Sequence, residues 1–199
     1  MFPQDAICEI CAKASTLHLA TYLDGARLFN TAAATGVSLA ALAAPFDLVS
    51  VALSKGLGCP VGSVLAGRSN HVARAIRVRR MFGGAMRQAG ILAAAGLYAL
   101  DHNLRRLSED HANARLIAEG IAGLRGIELD LATVQTNIIV FRLAAEAPTA
   151  ADFVAQAKQR DVLLSAFGPR IVRATTHLDL STEQCMRAAE VISELTASF

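Results

Sequence analysis

The sequence predicts an α/β protein: a sheet-forming N-terminal region, a helical connector, and a smaller α+β domain at the C-terminal end. Three observations carry this reading. Short apolar runs end at Asp24 and at Ser54-Lys55-Gly56, with the length and composition of buried strands. Helical patterns fill the intervals between them. From Gly126 onward the pattern changes to short strands separated by two amphipathic helices. Strands that alternate with helices build a sheet covered on both faces, and such sheets take their ligands outside the strands' carboxyl ends.

In order along the chain, residues 3–14 read as a helix with Ile7, Ile10 and Cys11 on one face, and Leu17–Leu23 as a short apolar strand ending at Asp24. After a loop and a short helix near Ser38–Ala44, Asp47–Leu53 reads as a second strand and Val61–Ala66 as a third. Asn70–Arg80, Gln88–Leu107 and Glu109–Leu124 suit helices, the last two rich in alanine and leucine. Ile127–Leu131, Asn137–Leu143, Val162–Ser165 and Ile171–Thr175 read as strands and Thr149–Arg160 as a helix. Ser181–Thr196 closes the chain as a helix, with Ser181 as N-cap and Gln184 three residues on. The large-domain region is expected over residues 1–107 and the small domain with its helical connector over 108–199.

Composition excludes several classes. With 53% hydrophobic and 18% charged residues the chain is no disordered polyelectrolyte. A net charge of +2 is too balanced for binding driven by nucleic-acid phosphates, so no nucleic-acid partner is expected. No run reaches the roughly 18–20 apolar residues of a membrane span, so no membrane partner is expected either. The N-terminus lacks the basic start and apolar core of a secretory leader, which reads as cytoplasmic. Four scattered cysteines, Cys8, Cys11, Cys59 and Cys185, suit reduced thiols, and no metal site is expected: Cys8 and Cys11 have CxxC spacing but no second pair.

Lys55 and Asp24 are the residues whose positions suggest chemistry. At the end of an apolar strand, partial desolvation would favour the neutral, nucleophilic amine of Lys55; the plain alternative is a lysine snorkelling into solvent. One crossover between the two strands could bring Asp24 to the same sheet edge. A lysine for the cofactor aldehyde and a carboxylate for the ring nitrogen are what pyridoxal phosphate chemistry requires. Turn chemistry in Asp24-Gly25 is the other reading of the acid, and spacing leaves both open.

Six segments go further: YLDGARLFNTA (22–32), SKGLGCPVGSVLAG (54–67), GGAMRQAGILAAAGLYAL (83–100), DHANARLIAEG (110–120), VQTNIIVF (134–141) and RATTHLDLS (173–181). Together, and in this order along nearly the whole chain, they resemble the low-specificity threonine aldolases, within the aromatic β-eliminating lyase group of fold-type-I pyridoxal phosphate enzymes. The resemblance implies the C-terminal part of a fold-type-I large domain followed by the small α+β domain. It also implies pyridoxal 5'-phosphate as cofactor and cleavage of L-threonine or L-allo-threonine to glycine and an aldehyde. A related β-eliminating lyase or aminotransferase would use the same pair, and an inactive remnant is the remaining alternative.

By the same resemblance, Lys55 would form the Schiff base and Asp24 would pair with the pyridinium nitrogen. Arg27 would help bind the substrate carboxylate, with Arg173 as a second clamp delivered from the small domain. Arg87 would lie near a neighbouring subunit's cofactor phosphate, in a homodimer or homotetramer. A planar guanidinium suits a carboxylate because it donates two parallel hydrogen bonds. This chain departs from the pattern at Tyr22, where the family usually has histidine, at Cys59 for alanine and at Ala85 for glycine. The family's glycine-rich phosphate cup and ring-stacking group precede the segment that resembles residues 1–15, and none is found here, which reads as truncation. Arg74, Arg77, Arg79 and Arg80 read as a solvated or subunit-facing helix side, and His177 as an ordering residue beside Arg173.

Overall fold

The computed structural model describes residues 1–197 of the 199-residue chain. They form two compact units, one ending at Leu107 and one beginning at Ser108.

In the first unit, α1 (Gln4–Thr16) leads through residues 17–21 to β1 (Tyr22–Asp24). α2 (Leu28–Thr35) and α3 (Leu39–Ala43) then cross over to β2 (Leu48–Ala52), which pairs parallel with β1. β3 (Ser63–Gly67) returns antiparallel on the other side of β2. α4 (Ser69–Met81) and α5 (Gly90–His102) complete the unit. Val49 is buried with Leu28 of α2 and Leu42 of α3, and Leu23, Val51 and Ala32 pack against them. A second cluster joins Phe29, Leu57, Cys59, Ala99 and Leu107.

Helices were expected on both faces of this sheet; among the described residues α2 and α3 cover one. The other face carries Tyr22, Asp24, Ser50, Ser63 and Leu65, because alternate residues of a strand point to opposite sides. Leu48, Ala52 and Gly67 lie on the same face, so it is mixed in polarity, and β3 is exposed along its whole length. The strand expected over Leu17–Leu23 shortens to Tyr22–Asp24. Leu17 and Leu19 instead donate backbone hydrogen bonds to Lys13 and Ala14, closing α1, with His18 at a φ of 55°. α2, read as loop in the sequence, forms because Leu28, Phe29 and Asn30 bury its first turn. The single helix expected over Gln88–Leu107 breaks after His102.

From Ser108 the second unit takes in the rest of α6 (Leu107–Ile121), then β4 (Ile127–Glu128), a 3-10 turn at Leu131–Thr133, β5 (Ile138–Leu143) and α7 (Ala150–Lys158). β6 (Ser165–Ala166), β7 (Ile171–Thr175) and α8 (Thr182–Thr196) complete an antiparallel sheet of order β4-β5-β7-β6 with helices against it. One continuous core holds it: Ile117, Ile121, Ile139, Phe141, Phe153, Val172, Val191 and Ile192 are all buried in the same cluster. α8 starts with the expected capping box, in which Ser181 accepts from the Gln184 amide and the Gln184 side chain accepts from the Ser181 amide.

Two strands here are shorter than their apolar runs suggest. Ile127–Glu128 stops because Asp130 turns the chain, accepting from Ala132. Val162–Leu164 is not strand: Asp161 stands at a φ of 61° and Val162 still donates to Ala157, so these residues finish α7.

Candidate active site

Register brings the first two candidates to one edge. Because β1 and β2 are parallel neighbours, their carboxyl ends lie side by side: Asp24, the last residue of β1, stands opposite Ser50, and Lys55 follows five residues on. A polar lock at the opposite end of the pair fixes that register. The Thr21 amide and hydroxyl both donate to Asp47 Oδ2, at 2.8 and 3.1 Å, and the Asp47 amide donates back to Thr21. The Thr21 amide, then its hydroxyl, holds the Asp47 carboxyl below the usual carboxylate range, with Arg68 and His71 adding to the effect. A one-residue slip would break all of these bonds.

Gly25 lets the chain turn off β1 directly over its neighbour, since a Cβ there would lie 2.9 Å from the Ser50 carbonyl oxygen. Two residues later Arg27, half-buried, opens α2. Asp24 is exposed on the open face of the sheet, beside Tyr22, whose hydroxyl is hydrogen-bonded to Ser50 Oγ at 2.6 Å. Tyr22 therefore points along the same face as Asp24 and is tied to the strand that leads to Lys55.

Lys55 is exposed, not partly buried as its position at a strand end suggested, because β2 has already ended at Ala52. Its loop is nevertheless tightly held. Gly58 donates to the Lys55 carbonyl at 2.9 Å, Cys59 donates to the Leu53 carbonyl at 3.1 Å, and Leu57 and Cys59 are buried. Gly56 is pressed between two neighbours: a Cβ would lie 2.8 Å from Leu107 Cδ2 and 2.9 Å from Asn30 Oδ1.

Arg87 is exposed in the irregular segment between α4 and α5. Arg173 belongs to the second unit, on β7 opposite Val140 and Ser165. Its guanidinium carbon lies 4.9 Å from the centroid of the Phe167 ring, and its Nε is buried without a hydrogen-bond partner. His177 orders the following turn: its Nδ1 accepts from the Asp179 amide at 3.4 Å and its carbonyl accepts from Leu180.

Asp24 at the end of β1 and Lys55 in the loop three residues past the end of β2 are a carboxylate and an amine that could hold pyridoxal phosphate at its ring nitrogen and its aldehyde carbon. Of the four cysteines, Cys8 is exposed and Cys11 buried, so the two do not share the buried face of α1, and burial pushes the Cys11 thiol up. Among the described residues no three His, Cys, Asp or Glu side chains gather as a metal site, and no helix is long and apolar enough to cross a membrane. Tyr22's bond to Ser50, the Asn30 wall, the hydrogen bond that the Asn103 side chain donates to the Leu57 carbonyl and the Phe167 stack were not identified from sequence. Each depends on a contact made by folding, though the departure at Tyr22 was a partial signal.

The architecture matches that of a threonine aldolase and of an aminotransferase of known structure. The threonine aldolase of Leishmania major superposes with a TM-score of 0.79 at 20% identity, covering 98% of this chain and 57% of that one. An aspartate aminotransferase from Rhodobacter sphaeroides gives 0.76 at 20% identity, over 100% of this chain and 54% of that one. In sequence, the beta-eliminating lyase family profile matches residues 1–144, and the chain belongs to that family. It is 43% identical over 189 residues to the low specificity L-threonine aldolase of Escherichia coli K12, covering 95% of this chain and 55% of that protein. It is 49% identical over 118 residues to low-specificity L-threonine aldolase 1 of Arabidopsis thaliana, covering 59% of this chain and 33% of that protein. The chain thus spans about half the length of the E. coli relative.

Proposed function

We propose that this chain carries the lysine-bearing part of a pyridoxal 5'-phosphate-dependent aldehyde-lyase that cleaves L-threonine or L-allo-threonine to glycine and an aldehyde. The observation that supports the reading is that Asp24 ends β1 while Lys55 lies in the loop three residues past the end of its parallel neighbour β2, in a chain of the beta-eliminating lyase family.

Each residue then has one task. Lys55 would supply the amine that holds the cofactor by its aldehyde carbon. Asp24 keeps the ring nitrogen protonated, which a carboxylate on the open sheet face can do by accepting its hydrogen bond. The bound cofactor supplies the electron sink for the cleaved Cα–Cβ bond. By the family resemblance Arg27 and Arg173 would each serve the substrate carboxylate, and orienting the substrate by that group selects which bond breaks. The buried Arg173 Nε without a hydrogen-bond partner supports this role, because an unsatisfied guanidinium gains by accepting an anion. Arg87 would contact the cofactor phosphate of a neighbouring copy. Exposed Met81, Phe82 and Ile91, at 78%, 84% and 81%, support a homodimer or homotetramer by leaving apolar surface to be covered. Four free cysteines suit a cytoplasmic enzyme.

Product analysis tests the reading. The chain supplied with pyridoxal phosphate and L-threonine should yield glycine and an aldehyde. A 2-oxo acid with ammonia would assign elimination instead, and transfer of the amino group to a 2-oxo acid would assign an aminotransferase. Neither turnover nor cofactor binding would leave an inactive remnant.

A further inference from the structure

The loop that carries Lys55 rests in part against α5, and one side chain of that brace has no role in the reading above. Along α5 and just beyond it, contacts meet the loop in sequence. Gly96 faces Leu53, with 3.4 Å between an ideal Cβ and Leu53 Cδ1. The Cys59 thiol donates to the Ala95 carbonyl at 3.6 Å. Asn103, the C-cap of α5, donates its side-chain amide to the Leu57 carbonyl at 2.7 Å. Leu107 then closes over Gly56.

The Asn103 bond is the shortest of these. It reaches the carbonyl of a residue that is 0% exposed, two positions after Lys55. Asn103 is itself fixed from behind, because its own amide donates to Ala99 at 2.8 Å and so keeps the helix end in register. Without that donor, the Leu57 carbonyl would be buried with an unmet acceptor, and the loop would gain by swinging it toward water. Such a movement would carry the neighbouring Lys55 with it.

We infer that Asn103 is a positioning residue for Lys55: by holding the Leu57 carbonyl against the end of α5 it sets the direction from which the lysine amine meets the cofactor aldehyde. This rests on the reading of Lys55 proposed above. Asn103 touches no reacting atom. Its contribution is to reduce the number of loop conformations from which the amine must find its partner.

The chain contains three lysines, Lys13, Lys55 and Lys158, so the other two, both exposed, serve as internal controls. The full chain is incubated with pyridoxal 5'-phosphate, whose aldehyde condenses with an amine and loses water. Borohydride then reduces the carbon–nitrogen bond, and peptide mass spectrometry gives the Lys55 label relative to Lys13 and Lys158. Amide hydrogen exchange over residues 53–59 is read on the same samples without cofactor. Asn103→Ala and the near-isosteric Asn103→Asp, ionised near neutral pH, both remove the donor, whereas Asn103→Gln keeps one.

Asn103→Ala and Asn103→Asp should lower the Lys55 labelling ratio and speed exchange in residues 53–59, each by about fivefold, the weight of one net hydrogen bond, with exchange in β5 unchanged. Asn103→Gln should restore most of both. Faster loop exchange with an unchanged labelling ratio would reduce Asn103 to a structural prop and overturn the inference, as would exchange that does not respond at all. If Lys55 in the unaltered chain labels no faster than Lys13 and Lys158, the reading of Lys55 fails, and the role of Asn103 toward it fails too. The exchange data would still report separately whether the bond holds the loop.

Discussion

The two units solve the problem of burying a sheet differently. In the second, helices α6, α7 and α8 close over one face and a single cluster from Ala114 to Leu195 runs through it without a break. In the first, the buried residues fall into two small clusters and α4 contributes none. A continuous core spreads a local defect over many neighbours, whereas small clusters leave individual contacts to hold individual loops. The Lys55 loop belongs to one of these small clusters through Leu57 and Cys59, and its order rests on a few named bonds.

Perturbing each unit in turn tests this contrast. Phe153 is 0% exposed and meets Phe141 edge-on, with ring centroids 6.1 Å apart. Phe153→Ala should therefore cost about 3–5 kcal/mol, read as a cooperative loss of exchange protection throughout β5 and β7 in denaturant titration. Gly56→Ala should cost about 1–3 kcal/mol by overpacking against Leu107 and Asn30. Its signature should be local: faster exchange in residues 53–59 and reduced labelling of Lys55, with β5 protection retained. Equal spreading of both effects would contradict the contrast. Ser181→Ala removes one half of the α8 capping box and should cost about 1 kcal/mol, measured as a lower midpoint of the second unit's unfolding.

The smallest effect concerns pH. Burial holds the His111 pKa below its ordinary value of 6.5, partly offset by Asp110. The unfolded chain takes a proton at about pH 6.5 that the folded unit refuses until lower pH, so the stability from this group is complete above about pH 6.5. It declines as pH falls from there toward the depressed folded value. His111→Gln should flatten that part of the stability curve, and an unchanged slope in denaturant titrations across the range would remove the histidine from this role.

Much of this organisation was legible in the sequence where local chemistry and tertiary packing agree. Ile171–Thr175, the Ser38-capped short helix and the Ser181–Gln184 box form where expected, because propensity, capping and burial all favour them there. Legibility failed where an apolar residue had another task. Leu17, Leu19 and Val162 look like strand residues but complete helix ends, and backbone hydrogen bonds overrode their β-propensity. The site shows the same division. Asp24 and Lys55 stand out in the sequence because each ends an apolar run, whereas Asn103 bonds a carbonyl 46 residues away and shows no local pattern.

Spectrophotometric titration of the chain with pyridoxal 5'-phosphate tests the central claim, that Lys55 and Asp24 together receive the cofactor. Saturable micromolar binding should give the yellow absorbance of a lysine-bound cofactor. Lys55→Ala should abolish that band, and Asp24→Asn should shift and weaken it. A band that survives unaltered in Lys55→Ala, or no binding at millimolar cofactor, would contradict the account.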